Sequence, residues 1–360
     1  MAAQKARVAV VGTGWWSTTA HIPALKRNPD VELVALVDRR PDALAKAAAA
    51  YGVDHTYTDV NDMLAQEEVD GAIVCVNHAT HYEVAKACLE AGLHVVIDKP
   101  MVLYANHAHE LQAIAQAKGR ELIVGYPWHY TPISRRARDI IQSGELGAIQ
   151  FVSCLFSSMV VEFLRGNDQA YAPDFGYPVH GPGSAYADPK LSGGGHGHLQ
   201  LTHSIGSTLF VSGLRGDVVT AFMENFGLAV DLACAISVRF EAEGTYPAVG
   251  TFQGSGNIQR GDVGEFDIQI FCENGRLSLD QHNSLLYVRK PDGTELREGP
   301  LPAEERYPTH APAYNLVDVI LGRGENGSPA EVGVRVVEIL DAAYRSAANG
   351  GQPVKIADLI

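Results

Sequence analysis

The chain has 360 residues, 46% of them hydrophobic and 19% charged, enough for two packed cores and too apolar for a disordered polymer. Its 42 acids against 28 lysines and arginines leave a net charge of −14, the wrong sign for nucleic acid or an anionic membrane surface. Five cysteines (Cys75, Cys88, Cys154, Cys234, Cys272) without a C-x-x-C pair read as buried thiols, and with no apolar signal core and no membrane-length run the expected location is cytoplasmic.

Strand and helix alternate to about residue 124. Residues 7–11 form an apolar strand that runs into Gly12-Thr13-Gly14-Trp15-Trp16-Ser17. Gly12 permits a tight turn, Gly14 lets backbone approach a pyrophosphate, and the positive end of the next helix meets the phosphates. Ser17 stands where a third glycine is usual. The second strand, 31–38, ends at Asp38, placed to accept both hydroxyls of a ribose. A strand before the glycines and an acid after them make the dinucleotide reading specific. NAD is the expected cofactor; Arg39 and Arg40 follow Asp38 and leave NADP open. Helices at 41–51 and 59–65 precede a strand at 69–76, which ends at Asn77. A helix at 81–91 leads to a strand at 94–97, which ends at Asp98-Lys99-Pro100. A helix at 106–118 and a strand at 121–124 complete a doubly wound parallel sheet. Ligands bind beyond the carboxyl ends of such strands, which singles out Gly12–Trp16, Asn77 to His81, and Asp98-Lys99. Lys99 at a strand end in a cleft is partly desolvated, and its proton affinity falls toward the range useful for exchange with a hydroxyl.

The pattern changes after Gly125. Tyr126-Pro127-Trp128-His129-Tyr130 follows the last parallel strand, so Tyr126 and Trp128 are expected to stack on a sugar and His129 to bond its hydroxyls. A helix at 132–143 and a strand at 147–156 lead into an irregular stretch, 157–195, long enough to be functional. Gly193-Gly194-Gly195-His196-Gly197-His198 then opens a helix at 199–211, where Gln200 and His203 share a face. Three histidines invite a metal, but no acidic or thiolate partner stands at ligand spacing, so no metal is expected and His203 is read as a catalytic histidine. Strands at 217–226, 232–241, 246–255, 264–272, 276–279 and 285–289 suggest an antiparallel sheet. Helices at 314–321 and 332–348 follow. These helices cover one face of that sheet. Val219, Ala221, Ala233, Ala235, Ile268 and Ile270 make at least one face apolar, so a homodimer or homotetramer through the open face is expected.

The chain resembles the Gfo/Idh/MocA family, the glucose–fructose oxidoreductase and inositol dehydrogenase group. The resemblance rests on Gly12-Thr13-Gly14, the Asn77 to His81 turn, Glu90-Ala91-Gly92-Leu93-His94-Val95, Asp98-Lys99-Pro100, the Gly144-Glu145-Leu146-Gly147 segment, the triple glycine with His203, and the closing Asp341-Ala342-Ala343-Tyr344-Arg345. It implies a Rossmann domain over 1–124 and an α/β domain with a large, open, mostly antiparallel sheet over 125–360. It also implies a dehydrogenase moving a hydride between NAD and a secondary hydroxyl of a sugar, cyclitol or glycoside, with Lys99 and His203 handling the proton. Asp98 replaces the family's glutamate and should still hold the lysine or cofactor. Leu199 replaces an acid the family carries four residues before the histidine. Trp128-His129 replaces an arginine pair, which points to a neutral substrate. The 157–192 insertion, with His180 and Tyr186, is expected to cap the pocket, as in the subgroup that oxidises glycosides at C3. The alternative is an NAD-dependent glycoside hydrolase or lyase working through transient oxidation at C3.

Overall fold

The computed structural model describes residues 5–242, 246–262 and 264–360. The first sheet has six strands: β1 (Ala6–Val11), β2 (Val31–Val37), β3 (His55–Tyr57), β4 (Gly71–Val74), β5 (His94–Ile97) and β6 (Leu122–Val124). Their order is β3-β2-β1-β4-β5-β6, with every pair parallel. This is the doubly wound arrangement, with the strand order reversing at β1. The strands read as unbroken apolar runs because helices cover both faces. β3 escaped the sequence reading: it is three residues long, at the sheet edge, and none of His55, Thr56 and Tyr57 is fully buried.

The second sheet has nine strands: β7 (Ile149–Ser157), β8 (Gly216–Glu224), β9 (Ala233–Phe240), β10 (Val249–Ser255), β11 (Glu265–Cys272), β12 (Gly275–Asp280), β13 (Leu285–Arg289), β14 (Glu295–Glu298) and β15 (Val354–Lys355), in the order β14-β13-β12-β11-β7-β10-β9-β8-β15. All its pairs are antiparallel except β7 with β10. Helices Pro132–Gln142, Thr202–Ser212 and Ala330–Ala348 pack on one face. That face takes every second residue: Val219, Ala221, Ile236, Val238, Phe252, Ile268 and Ile270 are buried. Ala233 and Ala235 point the other way, onto the open face, because β9 places Cys234 and Ile236 inward. A one-residue error of register moves a whole strand's side chains to the opposite face.

The helix Ala311–Ile320, expected at 314–321 as cover for the second sheet, packs on the first sheet instead. It lies in the C-terminal part of the chain, yet Ala313, Leu316 and Val317 pack in one core with Ala6, Val8, Val10, Ile73 and Val96 of the first sheet. All five cysteines are free and buried. No helix among the described residues is long and apolar enough to cross a membrane.

Candidate active site

A cleft of about 650 Å³ opens at the carboxyl ends of β1, β2, β4 and β5. Gly12 turns the chain with φ +96°, and a Cβ there would lie 2.1 Å from the Cys75 carbonyl oxygen. A Cβ on Gly14 would meet nothing in the protein, so this backbone faces open space, as close approach of a pyrophosphate requires. Trp15, Trp16, Asp38, Arg39, Asn77, His78, His81, Asp98 and Lys99 also line the cleft. Thr13 does not reach it. Its backbone N–H and hydroxyl both donate to Asp38 Oδ2 at 2.9 Å, and the residue is fully buried. Thr13 therefore ties the phosphate turn to the acid rather than touching a ligand.

Asp38 also accepts from Arg40, through Nε at 3.1 Å and Nη2 at 3.1 Å. Burial pushes its carboxyl up, but the donors from Arg40 and Thr13 outweigh this and hold it below the usual carboxylate range. Asp38 is thus an anion at the adenosine end of the cleft. Arg40, though half-exposed, is bonded to this carboxylate, so turning toward a 2′-phosphate would cost it those hydrogen bonds. NAD is expected to bind about tenfold or more tightly than NADP, since like charges brought together cost binding energy. Fluorescence titration of the two cofactors checks this, and tighter NADP binding would mean that Arg39 and Arg40 outweigh Asp38.

Lys99 lies two residues beyond the end of β5, and its ammonium donates to the Leu199 carbonyl at 2.8 Å. That carbonyl sits in the irregular turn Gly197–Leu201, which runs directly into the helix carrying His203. One hydrogen bond thus ties Lys99 to the turn that leads into the helix of His203. Burial draws the lysine below its ordinary value, against the pull of Asp98. His203 is also buried, and desolvation, then the charges of Lys99 and His129, hold it well below its ordinary value. The rings of Trp128, Tyr126, Phe156 and Tyr307 surround it at 5.2, 5.9, 6.4 and 6.5 Å between centroids. Asp98, expected to hold the lysine or the cofactor, makes no hydrogen bond to Lys99 among the described residues, though its charge favours the ammonium; it lines the cleft, and Cys75 Sγ donates to it at 3.5 Å.

Several expected substrate residues are placed otherwise. His129 is fully buried, with Nδ1 2.8 Å from Ser328 Oγ and its ring stacked on Phe210 at 4.2 Å. Burial takes its pKa down to about 3. It is a buried packing residue, because the turn Pro127–Tyr130 directs it into the protein. Tyr126 is likewise enclosed, its hydroxyl 2.8 Å from Thr202 Oγ1. Gln200 is half-buried, and its amide makes no hydrogen bond among the described residues. Trp128 stays beside His203, with a buried Nε1 that has no partner. His180 and Tyr186 do line the cleft. The roof they belong to packs on the phosphate turn itself, as Phe163, Phe175 and Tyr177 meet the Trp15 ring at 5.1, 5.7 and 6.0 Å.

Three residues of the site were missed. Tyr307 lies 4.2 Å from Trp128 and 6.3 Å from Trp16. His282, from the β12–β13 turn, lies 6.2 Å from Trp128 and 5.8 Å from Phe156. Neither stands in a motif. Asp231 could have been found as a lone acid in an apolar run. Its carboxylate accepts from Gly195 N at 2.6 Å, Gly197 N at 2.8 Å and the Tyr344 hydroxyl at 2.8 Å. A Cβ on Gly195 would lie 1.9 Å from the Asp231 carbonyl oxygen. A Cβ on Gly193 would likewise lie 2.5 Å from Leu103 and one on Gly194 2.3 Å from the Tyr344 hydroxyl, so the three glycines serve close packing within the protein, Gly195 alone against Asp231.

Comparison with known proteins agrees with this geometry. Residues 6–126 match the oxidoreductase family with NAD-binding Rossmann fold, and residues 134–278 match the GFO/IDH/MocA C-terminal domain. The chain is 27% identical over 270 residues to a 4-carboxy-2-hydroxymuconate-6-semialdehyde dehydrogenase of Sphingobium sp., covering 75% of this chain and 77% of that protein. It is 28% identical over 166 residues to the D-xylose 1-dehydrogenase [NADP(+)] of Haloarcula marismortui, covering 45% and 46%. Among solved structures, GenD2 from gentamicin A biosynthesis, in complex with NAD, superposes with a TM-score of 0.75 at 25% identity over 99% of this chain and 97% of that one. An oxidoreductase domain protein from Kribbella flavida shares the fold with a TM-score of 0.80 at 22% identity, over 98% and 100%. With both halves matched and the cleft built for a dinucleotide, the chain belongs to the Gfo/Idh/MocA family of NAD-binding oxidoreductases and is a dehydrogenase.

Proposed function

We propose that this dehydrogenase oxidises a secondary hydroxyl of a neutral sugar, cyclitol or glycoside, with NAD preferred. The observation that carries the reading is Lys99 bonded to the turn that leads into the helix of His203, with His203 inside a wall of aromatic rings. Gly12, Gly14, Asp38, Asn77 and Lys99 are placed to hold NAD, which supplies the hydride acceptor when bound. Lys99, made less basic by burial, takes the hydroxyl proton. His203, neutral at pH 7, accepts a hydrogen bond from the same hydroxyl or relays its proton. Trp128 and Tyr307 present flat apolar faces of the kind that stack on a sugar ring. The relatives named for a sugar and for NAD support this substrate class and cofactor.

A panel of aldoses, cyclitols and alkyl or aryl glycosides, read as NADH absorbance, tests it. Net NADH with a neutral polyol supports the reading. Turnover confined to carboxylated substrates overturns the neutral pocket, and free aglycone released without NADH overturns net oxidation.

We also propose self-association through the open face of the second sheet. Phe222, Val249, Phe271 and Leu285 are exposed there, 66%, 47%, 37% and 39% respectively, among small and polar neighbours such as Ser153, Ala235 and Thr251. An apolar scatter across nine strands is better buried against an identical face. Light scattering at micromolar concentration is expected to give two or four times the 38.7 kDa chain mass, and a value at the chain mass would remove the proposal.

A further inference from the structure

The segment between β7 and the triple glycine, which roofs the cleft, builds a small core of its own. Val161, Phe163, Leu164 and Tyr171 pack there with Leu199, Val230 and Leu232, apart from the cores of the two sheets. Among the described residues up to the end of β6, Trp15 alone joins this core. Its indole meets Phe163, Phe175 and Tyr177. Its Nε1 is buried without a hydrogen-bond partner, so packing alone holds the ring. Trp15 directly follows Gly14 of the phosphate turn, and the roof is therefore seated on the cofactor turn itself. The same core reaches the reaction centre, because Leu199 packs in it while its carbonyl accepts from Lys99.

Residues 181–185 of the roof line the same cleft as Gly12, Gly14, Asp38 and Arg39. Asp168 holds them in shape. Its Oδ2 accepts from Gly183 N at 2.9 Å, and a Cβ on Gly181 would lie 2.0 Å from that oxygen. Arg260 pairs with Asp174 at 3.2 Å and fastens the roof helix Ala172–Phe175 to the β10–β11 connection. We propose that the roof is the second wall of the NAD site and that Trp15 is its latch: NAD enters and leaves only when the roof core lifts from the indole. This rests on NAD occupying the cleft and on no particular substrate. A small core set apart from the main ones can open as a unit, as lids do. Turnover that releases NADH then runs no faster than that opening.

A latch of protein on protein has a signature that a cofactor contact lacks. Weakening it speeds passage in both directions, whereas losing a contact to bound NAD speeds release alone. Substituting Trp15 would mix the two effects, because it borders Gly14. Phe175 separates them: it touches Trp15, is 42% exposed and does not line the cleft.

The full chain is mixed with NADH, and the NADH-loaded chain with excess NAD, while energy transfer from tryptophan to NADH is followed by stopped flow. Phe175→Ala is expected to raise the binding and release rates together, each about three- to tenfold, with Kd changing by less than either. Phe175→Leu should return both toward wild type. Unchanged rates in folded Phe175→Ala overturn the latch, and so does faster release with an unchanged binding rate. Hydrogen exchange on the wild type needs no variant: NADH is expected to slow exchange across 172–186, Gly183 included. Exchange there that is the same with and without NADH overturns the second wall. Protein that binds no NADH removes this proposal together with the cofactor site, whereas the substrate panel failing leaves both experiments intact.

Discussion

Lys99→Met is expected to slow single-turnover hydride transfer by about 10²–10⁴-fold, the usual contribution of one positioned acid or base, while NAD still binds. Methionine keeps the length and apolar stem of the lysine but cannot carry a proton. It also leaves the Leu199 carbonyl without its donor, worth about 1 kcal/mol of stability in a net hydrogen-bond exchange, so the protein should remain folded. The pH dependence gives the sharper signature. Burial lowers the lysine from its ordinary value, so its neutral, proton-accepting form is present at lower pH than for an exposed lysine. Oxidation should rise with pH through that lowered value and then level off; reduction should fall through it. In Lys99→Met this limb disappears. His203 cannot supply it, because burial holds that ring well below its ordinary value. A loss of less than tenfold in the transfer step, with the limb intact, would reject the catalytic role of Lys99.

The largest stability effect should come from Asp231→Ala, a loss of about 3 kcal/mol or more. The carboxylate accepts from two glycine N–H groups and the Tyr344 hydroxyl, and Cys234 Sγ donates to it at 3.1 Å. Alanine strands all four donors in a buried site. The same bonds hold the turn that presents Leu199 to Lys99 and leads into His203, so kcat should fall even where the variant is folded. Burial pushes the Asp231 carboxyl up, but its donors outweigh this and leave it below the ordinary value. Its contribution is therefore complete above the unfolded pKa, about 4, and is lost as the pH falls through the lower folded value. Denaturant melts of wild type and variant at pH 7 and in acid should differ most at pH 7. Equal midpoints at pH 7 would show that the turn is held by something else.

Gly12, Asp38 and Lys99 were legible in the sequence because each follows an unbroken apolar strand, and strand ends in a parallel sheet converge on one cleft. Thr13 and His129 show where that logic stops. Both occupy the right segments, but side-chain direction past the strand end is set by partners far away, Asp38 in one case and Ser328 in the other. β3, β14 and β15 carry two to four residues each with little or no burial, so they write no apolar pattern. Tyr307 and His282 reach the aromatic wall from connecting segments, where neither spacing nor periodicity announces a site.

The helix Ala311–Ile320 carries a consequence for the order in which the chain matures. Leu316 and Ile320 lie against Gly71 so closely that a Cβ there would be 3.3 and 2.7 Å from their terminal methyls. One side of the first sheet is thus finished by residues translated long after β6. During synthesis the first 124 residues display that bare surface until position 320 has cleared the ribosome. Nascent chains in that window are the ones a chaperone would hold, and a fragment cut at the end of β6 would be born with a greasy flank it has no means to cover.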